Sequence, residues 1–284
     1  MTSPRAMRRN LPLAVVVGGG GGMGSACARR LSHCHEVIVA DLDLARAQAV
    51  AEEIGNEGAM ATAWQLDACD GASVDALAAE LRTRGGVQAI AFPLGLSPSM
   101  ADSRRIIEVN LVGAARFAEA VYPALGSGSA AVFVSSLAGH IGQLAPEVLA
   151  LLDNPQDPDL FERLEAQLGA AIDPSLAYQL SKVGLMRMVR RLAARWGRKG
   201  ARILSLSPGL IDTPMGRMEY VKNPQKNELV RRTPLGREGT LIEIADALEF
   251  LCSPRASFIT GTDLLVDGGI AAELAFPAAD EGGT

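Results

Sequence analysis

Residues 11–31 read LPLAVVVGGGGGMGSACARRL. An apolar run of strand length leads straight into five consecutive glycines, Gly18 to Gly22, and a sixth, Gly24, follows Met23. The residues after Met23 read as a helix, so the glycines fall at a strand-to-helix turn. A Gly-rich backbone there lets N–H groups approach a pyrophosphate, whose charge the helix N-terminus favours. Two registers fit the run, Gly19-x-Gly21-x-x-Gly24 and Gly18-x-x-x-Gly22-x-Gly24. Read alone, either says only that a nucleotide binds.

Outward from this loop, apolar runs of strand length alternate with helical patterns almost to the end of the chain. Strands are expected at 13–17, 36–40, 60–66, 87–92, 130–135, 201–206 and 263–266, and helices near 23–33, 43–54, 71–84, 102–124, 176–197 and 241–252. Runs such as EVIVA and AVFVS are apolar throughout, as in a parallel sheet covered on both faces. The expected fold is α/β: one doubly wound, Rossmann-type parallel sheet of about seven strands, with residues 1–284 forming a single domain. The stretch 140–174 interrupts the alternation. PEVLALLDN and PDLFERLEAQLGAAI read as short amphipathic helices starting at prolines, with turn chemistry at Asn154–Pro158. This predicts a helical hairpin inserted before the helix at 176–197. It either packs on its own or a neighbouring subunit or contributes to a pocket.

Bulk properties exclude other classes. A net charge of −5 disfavours nucleic acid or an anionic membrane as partner, and no apolar run approaches the ~20 residues of a membrane span. Cys27, Cys34, Cys69 and Cys252 have no paired spacing, which suits reduced, intracellular thiols. No metal is expected, since His33-Cys34-His35 lacks a second ligand pair. Arg8-Arg9 and the small residues Ala26-Cys27-Ala28 outline a secretory signal, but cleavage there would remove the glycine loop. A cytoplasmic location is expected.

Asp41 ends EVIVAD about twenty positions beyond the loop, where a carboxylate accepts from both adenosine ribose hydroxyls and repels a 2′-phosphate. That favours NAD over NADP. The competing role is a helix N-cap, which Asp43 could also fill. Asp67, with Ala68 beside it, ends the third strand within reach of the adenine amino group, and it too has a capping alternative. Tyr178 and Lys182 stand at i and i+4, on one face of a helix. A lysine ammonium beside a phenol stabilises phenolate and makes it a usable acid or base. Ser135 and Ser136 sit at a strand's C-terminal end, where open α/β sheets bind ligands. Asn110 interrupts an otherwise apolar helix and, taken alone, reads first as a satisfied core amide.

Taken together, these residues resemble the short-chain dehydrogenase/reductase family over essentially the whole chain. The family's T-G-x-x-x-G-x-G loop aligns with Val17 to Gly24, its serine and Y-x-x-x-K set with Ser136, Tyr178 and Lys182, and its helix asparagine with Asn110. Its P-G-x-x-x-T motif matches Pro208 to Thr213, and Val266 to Gly269 resembles its C-terminal strand end. The resemblance implies that Tyr178 exchanges a proton with the substrate oxygen while hydride moves between nicotinamide and carbon. Lys182 would hold the nicotinamide ribose and depress the tyrosine pKa. Ser136 would position the substrate oxygen, with Ser135 packed behind it, and Asn110 would support a water-linked proton relay. Gly18, Gly22, Met23, Gly24, Gly95, Pro208, Gly209, Ile211 and Thr213 would complete the cofactor site with Asp41, Asp67 and Ala68. The Tyr178/Lys182 pair selects Gly18, Gly22 and Gly24 as the required glycines and makes Gly19 to Gly21 permissive.

The sequence also departs from the family. Val17 replaces a threonine, and the family's N-N-A-G reads Phe92-Pro93-Leu94-Gly95. Ser136 and Tyr178 stand 42 positions apart, far more than is usual. That insertion, with LAYQLSK and AARWG, looks like the bacterial 3α-hydroxysteroid dehydrogenase/carbonyl reductase branch. The expectation is an NAD-dependent oxidoreductase interconverting a hydrophobic secondary alcohol and ketone, working as a homodimer or homotetramer. Its pocket would draw on Leu137, His140, Met186, Met215, Met218 and Tyr220. The alternatives are a non-catalytic NAD-binding regulatory or scaffold protein, motivated by Phe92–Leu94, and an enoyl reductase, whose relatives use a longer Tyr–Lys spacing.

Overall fold

Each apolar run expected to be extended is a strand in the computed structural model, which describes residues 11–213 and 225–277. The strands are β1 (Leu13–Val17), β2 (Glu36–Asp41), β3 (Ala61–Gln65), β4 (Val87–Phe92), β5 (Leu125–Val134), β6 (Arg202–Pro208) and β7 (Asp263–Val266). All pair in parallel, in the order β3-β2-β1-β4-β5-β6-β7. The order reverses between β1 and β4, so a crevice opens at the carboxyl ends of those two strands.

Among the described residues the helices in chain order are α1 (Gly22–Ser32), α2 (Leu44–Asn56), α3 (Gly71–Thr83), α4 (Ser103–Ile107), α5 (Ala114–Val121), α6 (Pro146–Leu152), α7 (Leu160–Leu168), α8 (Pro174–Gly197), α9 (Gln225–Arg232), α10 (Leu241–Cys252) and α11 (Ile270–Ala275). Alternate residues of one strand serve opposite faces. Val15 and Val17 of β1 join α3, α5 and α8 in one core, while Ala14 and Val16 join α1, α2 and α10 in another. Two covered faces explain why the strand sequences carry no polar alternation. No helix among the described residues is long and apolar enough to cross a membrane.

Three local differences from the sequence reading have physical causes. First, β5 begins at Leu125, not near 130, because Leu125 pairs with Val87 ahead of a register shift. Ser129 bridges that irregularity, its hydroxyl accepting from Gly126 N (2.9 Å) and donating to Val87 O (2.6 Å). Second, the expected helix at 102–124 contains a π-helical segment, Glu108–Gly113, between α4 and α5. Third, α7 starts at Leu160 instead of Pro158, because Asp157 Oδ1 accepts from Asp159 N (3.0 Å) and keeps that stretch in a turn.

The inserted hairpin packs on its own subunit. Val148 and Leu152 of α6 and Leu160 and Leu164 of α7 share a core with Ile106, Ile107, Leu111, Ala177 and Leu180 of the α4–π segment and α8. Leu152 and Leu164 are fully buried, each contributing roughly 1.5–3 kcal/mol. Arg187 of α8 makes a two-pronged bond to Asp153 (2.7 and 2.6 Å), and Arg104 stacks over the Phe161 ring at 4.3 Å. The Tyr178 ring packs against this same cluster, so the insertion backs the residue of greatest chemical interest.

Candidate active site

The glycine loop sits at the carboxyl end of β1, next to the crevice. Gly18 has φ +81°, a conformation that side chains with a Cβ resist. The N–H groups of Gly18 and Gly19 both donate to Ala40 O at the end of β2 (2.8 and 3.0 Å). A Cβ on Gly24 would lie 2.0 Å from Gly18 O, so only glycine lets α1 start this close to β1. The sequence reading of the intervening glycines needs correction. A Cβ on Gly19 would meet Val39 Cγ1 at 2.7 Å, and one on Gly20 would meet Arg46 Cβ at 2.7 Å. These two are required by packing against β2 and α2. Gly22, by contrast, has nothing of its own chain nearer than Leu241 Cδ1 at 3.6 Å. A side chain at Gly22 would fill the cradle itself.

The start of α1 is uncapped: Gly21 offers no side-chain acceptor and the first turn carries no acidic residue. Asp43, Asp70, Asp102 and Asp173 cap α2, α3, α4 and α8, and Thr240 forms a capping box with Glu243 on α10. The first N–H groups of α1, at Gly22, Met23 and Gly24, carry no side-chain cap and lie at the glycine loop, which fits an anionic phosphate.

Asp43 is the cap of α2, so Asp41 is not. The Asp41 carboxylate instead accepts from Gly20 N (2.9 Å) and Asp43 N (3.1 Å), tying the glycine loop to β2. Asp67 does not cap α3 either, since Asp70 does; its Oδ1 accepts from Cys69 N (2.8 Å). Ala68 is buried against Gly113 of the π segment.

The side-chain chemistry gathers across the crevice, at the carboxyl ends of β4, β5 and β6. Ser136 follows β5 and caps a short 3-10 turn, Leu137–Gly139, its hydroxyl accepting from Ala138 N (3.2 Å). The same hydroxyl lies near the Tyr178 phenol, where it favours the phenolate form. Buried Ser135 donates to Lys182 O (3.0 Å), fastening β5 to α8 behind it. Lys182 is buried, donates from Nζ to Val134 O (3.0 Å), and lies 5.4 Å from the Tyr178 ring centroid.

Burial shifts both groups of this pair towards their neutral forms in the protein by itself. It pushes the Lys182 ammonium down to about 8 and raises the Tyr178 phenol above its ordinary value, opposed by the nearby Ser136 hydroxyl. The expectation that Lys182 depresses the tyrosine pKa is therefore not met by the chain alone. Desolvation disfavours the charged form of each group.

Asn110 is fully buried inside the π segment. Its Oδ1 accepts from Leu96 N (2.7 Å), and its Nδ2 donates to Leu96 O (3.0 Å) and Ser181 Oγ (3.3 Å). It is a satisfied core amide, yet it stands at the site. A Cβ on Gly95 would lie 3.2 Å from Lys182 Nζ and 3.4 Å from Asn110 Oδ1, so Gly95 keeps the space between them clear. The neighbouring departure is a packing solution. Phe92 forms an aromatic trio with Phe117 and Phe133, at centroid distances of 5.2 and 5.1 Å, and Leu94 closes over Gly18.

Pro208 ends β6, and Gly209 N donates to Val266 O (3.0 Å), with Asp267 Cα only 2.6 Å from where a Cβ would stand. Ile211 pairs with Gly239, and Thr213 is the last described residue before 225. Of the expected pocket residues, Leu137 and Met186 are buried. Met186 packs beneath the 3-10 turn, against Gly139 and Ser207, as a floor more than a lining. Met215, Met218 and Tyr220 lie outside the described residues. Sequence reasoning missed Leu94, Ser181, Ser207 and Asp263. The only signal for Asp263 was an acid opening the otherwise apolar DLLV.

Comparison with known proteins shows the family. Residues 12–146 match the short chain dehydrogenase family model, and residues 166–271 match a model described as enoyl-(acyl carrier protein) reductase. The short-chain dehydrogenase/reductase bsc3 of Alternaria brassicicola is 33% identical, covering 92% of this chain and 96% of the relative. The chain belongs to the short-chain dehydrogenase/reductase family. As a short-chain dehydrogenase/reductase it is an oxidoreductase, using a nicotinamide dinucleotide, NAD or NADP. The narrower likeness has a counterpart in the 3-alpha-hydroxysteroid dehydrogenase/carbonyl reductase of Comamonas testosteroni, 30% identical over 93% of this chain and 98% of that one. Among solved structures, the hydroxysteroid dehydrogenase from Escherichia coli superimposes with a TM-score of 0.72 at 25% identity, covering 91% and 95% of the two chains.

Proposed function

We propose that this short-chain dehydrogenase/reductase interconverts a secondary alcohol and a ketone with NAD, using Tyr178 as acid and base. The observation carrying the proposal is a phenol beside a serine hydroxyl and one helical turn from a buried ammonium, across the crevice from an open phosphate cradle.

The residues present fit a dinucleotide. Gly22, Met23 and Gly24 would hold its pyrophosphate through backbone N–H groups, Gly18 would shape the turn, and Asp41 would hold its adenosine ribose. Asp67 and Ala68 would border the adenine, and Pro208, Gly209, Ile211 and Thr213 the nicotinamide. Once bound, the nicotinamide supplies hydride acceptance or donation. Tyr178 gives its phenolic proton to the oxygen of a ketone, or takes the hydroxyl proton of an alcohol. Ser136, next to the phenol, fixes the substrate oxygen beside it. Lys182, held on Val134 O, keeps a cation within reach of the phenol oxygen, and Gly95 leaves its approach open. Asn110 holds the β4–α4 loop through Leu96 and supports proton passage from Lys182 through water.

A hydrophobic, steroid-like or other alicyclic substrate is supported by the relative named a 3-alpha-hydroxysteroid dehydrogenase/carbonyl reductase and by the apolar Leu137 next to Ser136. The spacing of Tyr178 and Lys182, i to i+4, favours alcohol and ketone chemistry over enoyl reduction. A cytoplasmic location is proposed from the free cysteines, Cys27, Cys34, Cys69 and Cys252. Homo-oligomerisation, as dimer or tetramer, is proposed from the exposed Phe258 and Phe276 on either side of edge strand β7 in the sequence, and sedimentation tests it.

The deciding experiment is Tyr178→Phe assayed with NAD on a panel of secondary alcohols that includes 3-hydroxysteroids. Loss of at least ~10²-fold in kcat with unchanged NAD binding is expected for removal of a general acid–base. Near-normal turnover would sink the mechanism.

A further inference from the structure

Beneath the Ser136 turn lies a second polar cluster that the proposed reaction does not use. His140 Nε2 donates to Asp263 Oδ2 (2.9 Å), and Ser207 Oγ donates to Asp263 Oδ1 (3.0 Å). The Asp263 side chain is only 4% exposed and Ser207 is fully buried, whereas the His140 side chain retains 26% exposure. Serine, aspartate and histidine together suggest a nucleophile at first sight. The connectivity rules that out: the carboxylate is in the middle, so the hydroxyl proton points at Asp263 and no imidazole stands ready to remove it.

The cluster instead joins two parts of the molecule. His140 is the residue at which the 3-10 turn capped by Ser136 ends, and Asp263 opens β7, the edge strand. On its other side the turn rests on α8. A Cβ on Gly139 would meet Met186 Cε at 2.8 Å and Lys182 C at 3.3 Å, and the Gln179 amide bonds to Ile141 O. The segment is thus held from α8 by packing and from the sheet edge by a buried carboxylate. A buried carboxylate keeps its donors because losing one leaves an acceptor uncompensated in a medium that penalises it. That makes the His140–Asp263 contact selective for one placement of the turn.

We infer that His140, Asp263 and Ser207 form a clasp that sets the position of the Ser136 turn, making His140 and Asp263 positioning residues for the placement of the Ser136 hydroxyl near Tyr178. This rests on the proposed role of Ser136, but the clasp itself does not. Without His140 the turn pivots on α8 alone, and Ser136 samples placements that no longer meet the phenol.

The test uses the full-length enzyme in two arms, with His140→Ala and His140→Gln, whose amide can still donate to Asp263. His140 is partly exposed, so both variants are expected to fold. In hydrogen–deuterium exchange, the amides of Ala138, Gly139 and His140 should exchange roughly 10-fold faster in His140→Ala and return toward wild type in His140→Gln. Amides of β1 and β4 should not change. Exchange in His140→Ala equal to wild type overturns the clasp. In the kinetic arm, NAD-linked oxidation of the same alcohol panel should show kcat lowered roughly 10- to 100-fold in His140→Ala, as a misplaced group predicts, with the KM for NAD unaltered. In a Ser136→Ala background the same substitution should cost nothing further. An additional loss of equal size there overturns the link to Ser136. If the wild type oxidises none of the panel, it is the functional reading that fails, and exchange still decides the clasp.

Discussion

The two sides of the crevice are made from different material. The β1–α1 side is built of backbone: glycines chosen for what a Cβ would strike, and helix N–H groups left uncapped. The β5–α8 side is built of side chains whose polar ends are buried and fastened to carbonyls, as Lys182 is to Val134 and Ser135 to Lys182. A backbone cradle tolerates no added atom but carries no charge of its own. A buried side-chain site tolerates reshaping around it but is costly to charge. The two regions therefore should fail in different ways when perturbed.

The largest expected effect is Gly24→Ala. With Gly18 O only 2.0 Å from the new Cβ, α1 must move off β1, and about 3 kcal/mol of stability should be lost. Thermal unfolding checks this, and a melting temperature within error of wild type would break the backbone side of the comparison.

Next comes the charge cost on the side-chain side. Burial holds Lys182 at about 8, against 10.5 for the ordinary side chain. The unfolded chain thus binds this proton more tightly, and the penalty is fully present below about pH 8. It is relieved as pH rises from 8 towards 10.5, because over that window unfolding takes up a proton. The stability of wild type measured against Lys182→Met should accordingly climb by up to about 3 kcal/mol across the window. A pH-independent difference would show that the ammonium is not desolvated.

Gly22→Ala sharpens the contrast within the loop itself. Its Cβ meets nothing of the chain closer than 3.6 Å, so stability should stay within ~0.5 kcal/mol. Dinucleotide affinity, read by nucleotide fluorescence, should fall roughly 10-fold, as a crowded phosphate contact implies. Unaltered affinity would mean the cradle lies elsewhere. The smallest effect is expected from Asp41→Asn. An amide oxygen still accepts from Gly20 N, so the loop keeps its tie, while the charge facing a 2′-phosphate is gone. The NAD-over-NADP preference should narrow by about fivefold, on the order of 1 kcal/mol; an unchanged ratio of kcat/KM would refute the carboxylate's part in cofactor choice.

These residues also show how far a sequence can be read. The strands were legible because burial on both faces leaves no polar position in runs such as AVFVS, and the helices because their apolar spacing repeats within a few turns. Tyr178 and Lys182 were legible for the same reason, since i and i+4 is a local relation. The register of the glycines was not, because Gly19 and Gly20 answer to Val39 and Arg46 on the neighbouring strand and helix. Asn110 was half legible: a polar residue in an apolar helix stands out, but the π segment that turns it toward Leu96 does not.

By itself, then, the sequence determined the alternation of elements, the strand-to-helix loop and the pairing of phenol with ammonium, all encoded within windows of a few residues. The tertiary structure decided which glycines are sterically obligatory, that Asp41 ties the loop while Asp43 caps the helix, and that burial opposes the charging of Tyr178 and Lys182. It also brought His140 to Asp263, 123 residues apart in the chain. Those outcomes depend on which distant backbone comes within a few ångströms, and such distances are set only when the whole sheet has closed.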